Sequence, residues 1–188
     1  MIRAIIFDCF GVLTSAPWRE FIDNLPIQQK EDCRQLNRAL DSGKISLADF
    51  LQGVNRITDK PIDLIKDVIS SGSGKNTKLL DYLAELKKHY KIGLLSNISS
   101  DWIKREFLTE DEAKLFDDMV FSYQIRMVKP DPRAFELTAG RLGEPVSKCI
   151  MVDDSKQNCQ GAVSVGMEAI HYKTFEQFKI ELRKILDQ

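Results

Sequence analysis

The feature that most constrains this chain is an alternation. Five short apolar runs, at residues 2–7, 92–95, 119–122, 149–152 and 169–172, are separated by segments with helical periodicity. Runs this short, with no polar residue at every second position, read as strands buried on both faces. Strands interleaved with helices read as a parallel sheet covered on both sides, the doubly wound α/β class. The helical segments fit that plan. Leu79, Leu80, Leu83 and Leu86 share one face, and Lys87, Lys88 and His89 suit the carboxyl end of their helix. Residues 102–107 read as helix. So do residues 132–142, with Pro132 near the start and Gly143 at the close, residues 157–165, closed by Gly166, and residues 175–186.

Between the first two strands the character changes. Apolar residues recur at helical spacing as Phe21, Ile22 and Leu25, then Leu36 and Leu40, then Phe50, Leu51 and Val54, then Ile62, Ile65 and Val68. Gly43 divides two of these segments, which predict three or four short helices. Residues 70–74, all serine and glycine, read as a loop. The expected organisation is an α/β core from residues 1–14 and 75–188, carrying a small all-helical unit from residues 15–74. A chain of 188 residues is long enough for one core and such a satellite.

A formal net charge of −1 provides no global field for a nucleic acid or an anionic membrane, so neither is an expected partner. No apolar run approaches the ~20 residues of a membrane span, and no signal segment is visible, which makes the cytoplasm the expected compartment. Cys9, Cys33, Cys149 and Cys159 form no C-x-x-C pair and read as buried free thiols. His89 and His171 are too few for a histidine-rich metal site. Oligomeric state is not readable.

In a doubly wound sheet the ligand lies beyond the carboxyl ends of the strands. Asp8, Ser96 with Asn97, and Asp153 with Asp154 stand there. Three carboxylates at one edge repel one another unless a positive group intervenes, and an all-oxygen donor set suits Mg2+. Asp153 or Ser155 taken singly reads equally well as a helix N-cap, but capping does not account for the whole set. Lys129 is the second signal. A loop lysine is ordinarily solvated, but this one stands between Val128 and Pro130, in a stretch stiffened again by Pro132. A fixed ammonium could neutralise a phosphoryl group or a nucleophilic carboxylate.

These residues resemble a family. Phe7-Asp8-Cys9-Phe10-Gly11-Val12-Leu13, Leu94-Leu95-Ser96-Asn97, Lys129-Pro130-Asp131-Pro132 and Val152-Asp153-Asp154-Ser155 look like motifs I to IV of the haloacid dehalogenase-like superfamily, in the family's order and across nearly the whole chain. Asn158 and the stretch from Gly161 to Met167 extend the last motif, and Leu40-Asp41-Ser42-Gly43-Lys44-Ile45-Ser46 resembles the turn of the family's small helical cap. The resemblance implies that Asp8 is the nucleophile. Ser96 and Asn97 hold the transferring group, and Lys129 neutralises charge. Mg2+ would be held by Asp8, the backbone carbonyl of Phe10, Asp154 and, directly or through water, Asp153. The implied substrate is a small phosphorylated metabolite.

In one place the chain departs from the family. Phosphatases of the family usually carry a second aspartate two residues after the nucleophile, as general acid and base. Here that residue is Phe10. General acid–base help is typically worth ~10^2 to 10^4 in rate, so a phosphatase built on this site is expected to be slow. Dehalogenases of the superfamily carry an aromatic residue there and need no proton donor or metal, so a 2-haloacid dehalogenase-like hydrolase is the alternative, with a weakly active or non-catalytic binding domain as a third reading. The acidic pair at 153–154 favours Mg2+ and phosphate.

Two other patterns fail. Gly72-Ser73-Gly74-Lys75-Asn76-Thr77 misplaces the first glycine of a phosphate loop and has Asn76 after the lysine. A phospho-receiver domain would place its acidic pair at the first strand and has no counterpart of the helical unit. Trp18 and Trp102 could line a cleft but read better as core, and the Cys9 side chain should point away from that of Asp8.

Overall fold

The computed structural model describes residues 1–70 and 74–187. Most of the loop expected at residues 70–74, and the first glycine of the rejected phosphate-loop pattern, lie outside the described residues. The chain opens with strand β1 (Ala4–Phe7) and passes into four helices, α1 (Pro17–Asp23), α2 (Ile27–Asp41), α3 (Leu47–Thr58) and α4 (Ile62–Ser70). It continues through α5 (Thr77–Leu86), β2 (Lys91–Ser96), a π-helical turn (Ile103–Phe107), α6 (Glu110–Ala113), β3 (Asp118–Phe121) and α7 (Ser122–Ile125). It ends with α8 (Pro132–Arg141), a 3-10 turn (Val146–Lys148), β4 (Cys149–Asp153), α9 (Lys156–Ser164), β5 (Glu168–His171) and α10 (Phe175–Leu186).

The sheet has the order β3-β2-β1-β4-β5, and every pairing is parallel. β1 is central, and its four residues are wholly buried, as strands covered on both faces must be. Side chains alternate across it. Ile5 and Phe7 join Ile92, Leu94, Leu83 and Phe178 on one face. Ile6 joins Leu95, Val120, Phe135 and Met151 on the other. Each fully buried Ile, Leu or Phe contributes roughly 1.5–3 kcal/mol of transfer free energy, so these two layers hold the sheet rigidly. Phe7 pairs with Leu94 and with Val152, so Asp8 emerges level with Leu95 and Asp153. The Asp8 N–H donates to the Val152 carbonyl at 2.9 Å, continuing the ladder one residue beyond the strand.

Helices α1 to α4 pack around a cluster of their own, which includes Ile22, Cys33, Phe50, Val54 and Ile65. Their apolar faces meet one another, and α3 is started by a capping box between Ser46 and Asp49. Both chain crossings to the sheet run together. Thr14 bridges Lys75, the Asn76 N–H donates to the Leu13 carbonyl at 2.8 Å, and Asn76 Nδ2 donates to the Val12 carbonyl at 2.9 Å. A second contact joins the layers where buried Ser122 donates its hydroxyl to the Asp41 carbonyl at 2.7 Å.

The expected strands and long helices are present, with ends shifted by one or two residues. Residues 102–107 form a π turn rather than an α-helix, with the Leu108 N–H returning to the Ile103 carbonyl. Ser122, expected to end β3, begins α7. Helices α6 and α7 and the 3-10 turn were not anticipated; three or four residues are too few to show a period. All four cysteines are free and buried. Trp18 packs on Phe21 and Phe50, and Trp102 on Phe10 and Phe107. Among the described residues, no helix is long and apolar enough to cross a membrane.

Candidate active site

Parallel strands deliver their terminal residues to one edge. Asp8 follows β1, Ser96 ends β2 and Asp153 ends β4, with Asp154 next. Lys129 arrives from the loop between α7 and α8. Its ammonium is wholly buried, 2.9 Å from Asp8 Oδ1 and 2.7 Å from Asp153 Oδ2. Two flanking contacts fix the lysine from behind. Asn97 Oδ1 accepts from the Lys129 N–H at 2.8 Å, and Asn97 Nδ2 donates to the Lys129 carbonyl at 3.0 Å. Asn97 thus adds to the stiffness that Pro130 gives the backbone at Lys129.

Asp153 is fully engaged. Its Oδ1 accepts from the Ser155 N–H at 2.8 Å and from Asn158 Nδ2 at 3.0 Å, while Oδ2 takes the Lys129 ammonium. Ser155 is the N-cap of α9, as one reading of it held. Asp8 Oδ1 also accepts from the Cys9 N–H at 2.7 Å, so two donors set the rotation of that carboxylate.

Asp154 is held differently. Its Oδ2 accepts from Arg19 on α1, which places a guanidinium from the helical unit over the sheet edge. Its Oδ1 is buried without a hydrogen-bond partner. The His171 ring contacts the Asp154 carbonyl at 3.0 Å, and since a carbonyl only accepts, Nε2 is the protonated nitrogen. Gly11, at φ +82°, leaves room for this carboxylate: a Cβ there would lie 1.8 Å from Asp154 Oδ2.

Carboxylate oxygens of Asp8, Asp153 and Asp154 come within 4.8 Å of one another. That is well inside the reach of one ion, and the orphaned Asp154 Oδ1 offers a hard cation an unengaged ligand oxygen. With Asp153 already saturated, Asp8 and Asp154 are the freer ligands. Ser96 lies buried at the end of β2 with its hydroxyl unpartnered, a donor in reserve.

The electrostatics express the crowding. Burial pushes the Asp8 carboxyl up to about 7; Lys129 opposes this, and Asp153 and Asp154 add to it. Burial likewise raises Asp154, against the pull of Arg19. Burial alone would lower the Lys129 ammonium, but Asp153 and Asp8 outweigh it and hold it above its ordinary value. An edge that disfavours its own negative charge is one that a cation would stabilise.

The structure brings Asp8, Lys129, Asp153 and Asp154 into one cluster, with Asn97 behind Lys129. Two contributors were missed by sequence reasoning. Arg19 sits in the first turn of the helix that follows the nucleophile loop, where only its nearness to Pro17 hinted at a fixed position. Asn158 was seen only as part of a motif; it stands three residues after the cap Ser155, which turns its amide back onto Asp153.

Known proteins resemble this chain over most of its length. The family model described as haloacid dehalogenase-like hydrolase matches residues 2–166. The chain is 29% identical to phosphatase MT3486 of Mycobacterium tuberculosis over 191 residues, covering 89% of this chain and 86% of that protein. It is 25% identical to the phosphorylated carbohydrates phosphatase of Thermotoga maritima over 188 residues, covering 90% and 84%. The magnesium complex of the family enzyme BT-2542 from Bacteroides thetaiotaomicron superposes with a TM-score of 0.74 at 25% identity, covering 97% of this chain and 98% of that one. With the family model spanning most of its length and the motif residues meeting at one sheet edge, this chain belongs to the haloacid dehalogenase-like hydrolases.

Proposed function

We propose that the protein is a Mg2+-dependent phosphatase of small phosphorylated metabolites, working through an aspartyl-phosphate at Asp8. One observation carries this reading: three carboxylates meet within 4.8 Å beside a buried lysine, an arrangement that needs more positive charge before it can accept an anionic substrate. The names of its relatives, a phosphatase and a phosphatase of phosphorylated carbohydrates, support it.

The two donors on Asp8 Oδ1 leave Oδ2 as the attacking oxygen. It bonds to phosphorus as the bond to the leaving oxygen breaks, and water then attacks phosphorus, releasing phosphate and restoring the carboxylate. Lys129 neutralises charge as the transition state forms, and the free hydroxyl of Ser96 donates to the transferring group, while Asn97 acts through Lys129. Asp8, the Phe10 carbonyl and Asp154 would hold Mg2+, with Asp153 direct or through water. When bound, the metal supplies Lewis-acid charge neutralisation at a phosphoryl oxygen. The helical unit acts as a cap over the strand ends, restricting the site to small substrates, in a cytoplasmic protein.

The test is phosphate release from a panel of phosphorylated metabolites and aryl phosphates. Activity should need Mg2+, vanish with EDTA and vanish in Asp8→Asn. Halide release from 2-haloacids that ignores EDTA would instead support the dehalogenase reading, which the carboxylate cluster disfavours.

A further inference from the structure

The ionisable side chains gathered around Asp8 among the described residues are Lys129, Asp153, Asp154, Arg19 and Cys9, the last a wholly buried thiol. The other four are committed. Lys129 is ion-paired to Asp8 and Asp153, Asp153 takes donors on both oxygens, and Asp154 is paired with Arg19, a permanent cation. None is free to hand a proton to a departing oxygen.

Where a proton donor would be expected, the structure has an aromatic shelf. Phe10, two residues past Asp8, stacks on Trp102 with ring centroids 5.9 Å apart and planes 14° from parallel. Trp102 stacks in turn on Phe107 at 5.2 Å and 23°, and the Lys75 ammonium lies 5.5 Å from the Phe107 ring centre. Phe10 and Trp102 are each only partly buried; Phe10 stands two residues after Asp8 and Trp102 six residues after the end of β2. The ladder is therefore a flat, apolar and partly exposed surface that begins two residues along the chain from the nucleophile.

Resting on the phosphatase reading above, we propose that this site is built for phosphoryl groups carried on flat leaving groups that depart without a proton, namely aryl, enol or acyl phosphates, with the Phe10–Trp102 ladder as their platform. Asp8 Oδ2 bonds to phosphorus, and the phosphorus–oxygen bond breaks with its electron pair on the leaving oxygen. That oxygen leaves as phenolate, enolate or carboxylate and takes its proton later from bulk water. A phenolic oxygen titrates near ~10, as in tyrosine, whereas an aliphatic alcohol lies several units higher and needs the proton in the transition state. In the second step the leaving group is the Asp8 carboxylate itself, which departs as an anion, and the attacking water gives its proton to solvent.

The experiment is kcat/KM with Mg2+ for phosphate esters graded by leaving-group pKa, from nitrophenyl to phenyl to simple alkyl. In the wild type the ratio of aryl to alkyl ester should be very large, and in Phe10→Asp it should shrink by about 10^2-fold or more, the low end of what a general acid supplies. The wild-type solvent deuterium isotope effect on kcat/KM for an aryl ester should be near unity, a reading that stands even if Phe10→Asp fails to fold. Trp102→Leu should raise KM for naphthyl phosphate about 3- to 10-fold and alter methyl phosphate little, the range expected for one aromatic stack. Alkyl esters turned over as fast as aryl esters, an isotope effect of about 2 or more, or a Trp102→Leu variant with unchanged naphthyl KM would each overturn the inference and leave the phosphatase reading standing. No phosphate from any ester would remove both.

Discussion

Arg19, from helix α1, holds the carboxylate of Asp154, from the end of β4, so a cation of the helical unit sits on one of the residues best placed to bind a metal. The two compete for the same negative charge. Arg19→Gln should bind Mg2+ about 3- to 5-fold more tightly by calorimetry, the scale set by a partly exposed ion pair worth at most ~1 kcal/mol. An affinity equal to or weaker than wild type would show that the guanidinium helps the ion rather than opposing it.

Lys129 is the sole cation that Asp8 and Asp153 share among the described residues. Removing it leaves two buried acids facing each other. Lys129→Met should lower the unfolding free energy by ~3–5 kcal/mol at neutral pH, measured in urea, as when one partner of a buried ion pair is deleted. Added Mg2+ should recover more stability in this variant than in wild type, because the ion would take over the neutralisation.

Asn97 spans the backbone of Lys129 on both sides. Asn97→Ala leaves the lysine N–H and carbonyl unpaired in a partly buried place, with an expected loss of ~2 kcal/mol in stability. Turnover should fall further than that loss explains, since the ammonium is no longer aimed. Asn97→Asp would keep the acceptor to the lysine N–H and lose only the donor, so it should recover part of the stability.

Asp41, at the end of α2, is a buried acid away from the sheet edge, where burial raises its carboxyl to about 7 against the pull of the Asn37 hydrogen bond. Because the folded state holds this proton more firmly than the unfolded chain, stability is undiminished below about pH 4 and falls as pH rises from there to about 7. Asp41→Asn removes the titration. Its stability relative to wild type should rise from near zero at pH 4 to on the order of 3 kcal/mol at pH 8 in urea unfolding curves. A difference that stays flat with pH would mean that Asp41 is ionised at no cost.

Much of this is legible in the sequence. The run at residues 2–7 reads as a buried strand, because from Ala4 to Phe7 it is unbroken by any polar residue, and its end at Asp8 points to the candidate site. Asp153, Asp154 and Lys129 followed from where strands and prolines stop the chain. What stayed hidden depended on tertiary placement. Arg19 looks like any exposed helix arginine until α1 is laid over β4. Asn97 reads as a ligand to substrate until its amide is found on the backbone 32 residues away. The π turn at Ile103–Phe107 has no periodicity of its own, and the stacking of Phe10 on Trp102 joins residues 92 positions apart.

Both crossings between the helices and the sheet pass through a single neck, where Thr14 pairs with Lys75 and Asn76 ties back to Val12 and Leu13. A unit hung from one neck is a cassette. It can be lengthened, replaced or transplanted from another protein with no change in strand order, because the sheet closes beneath it regardless. The helical unit and the sheet that carries Asp8 are thus free to diverge at separate rates.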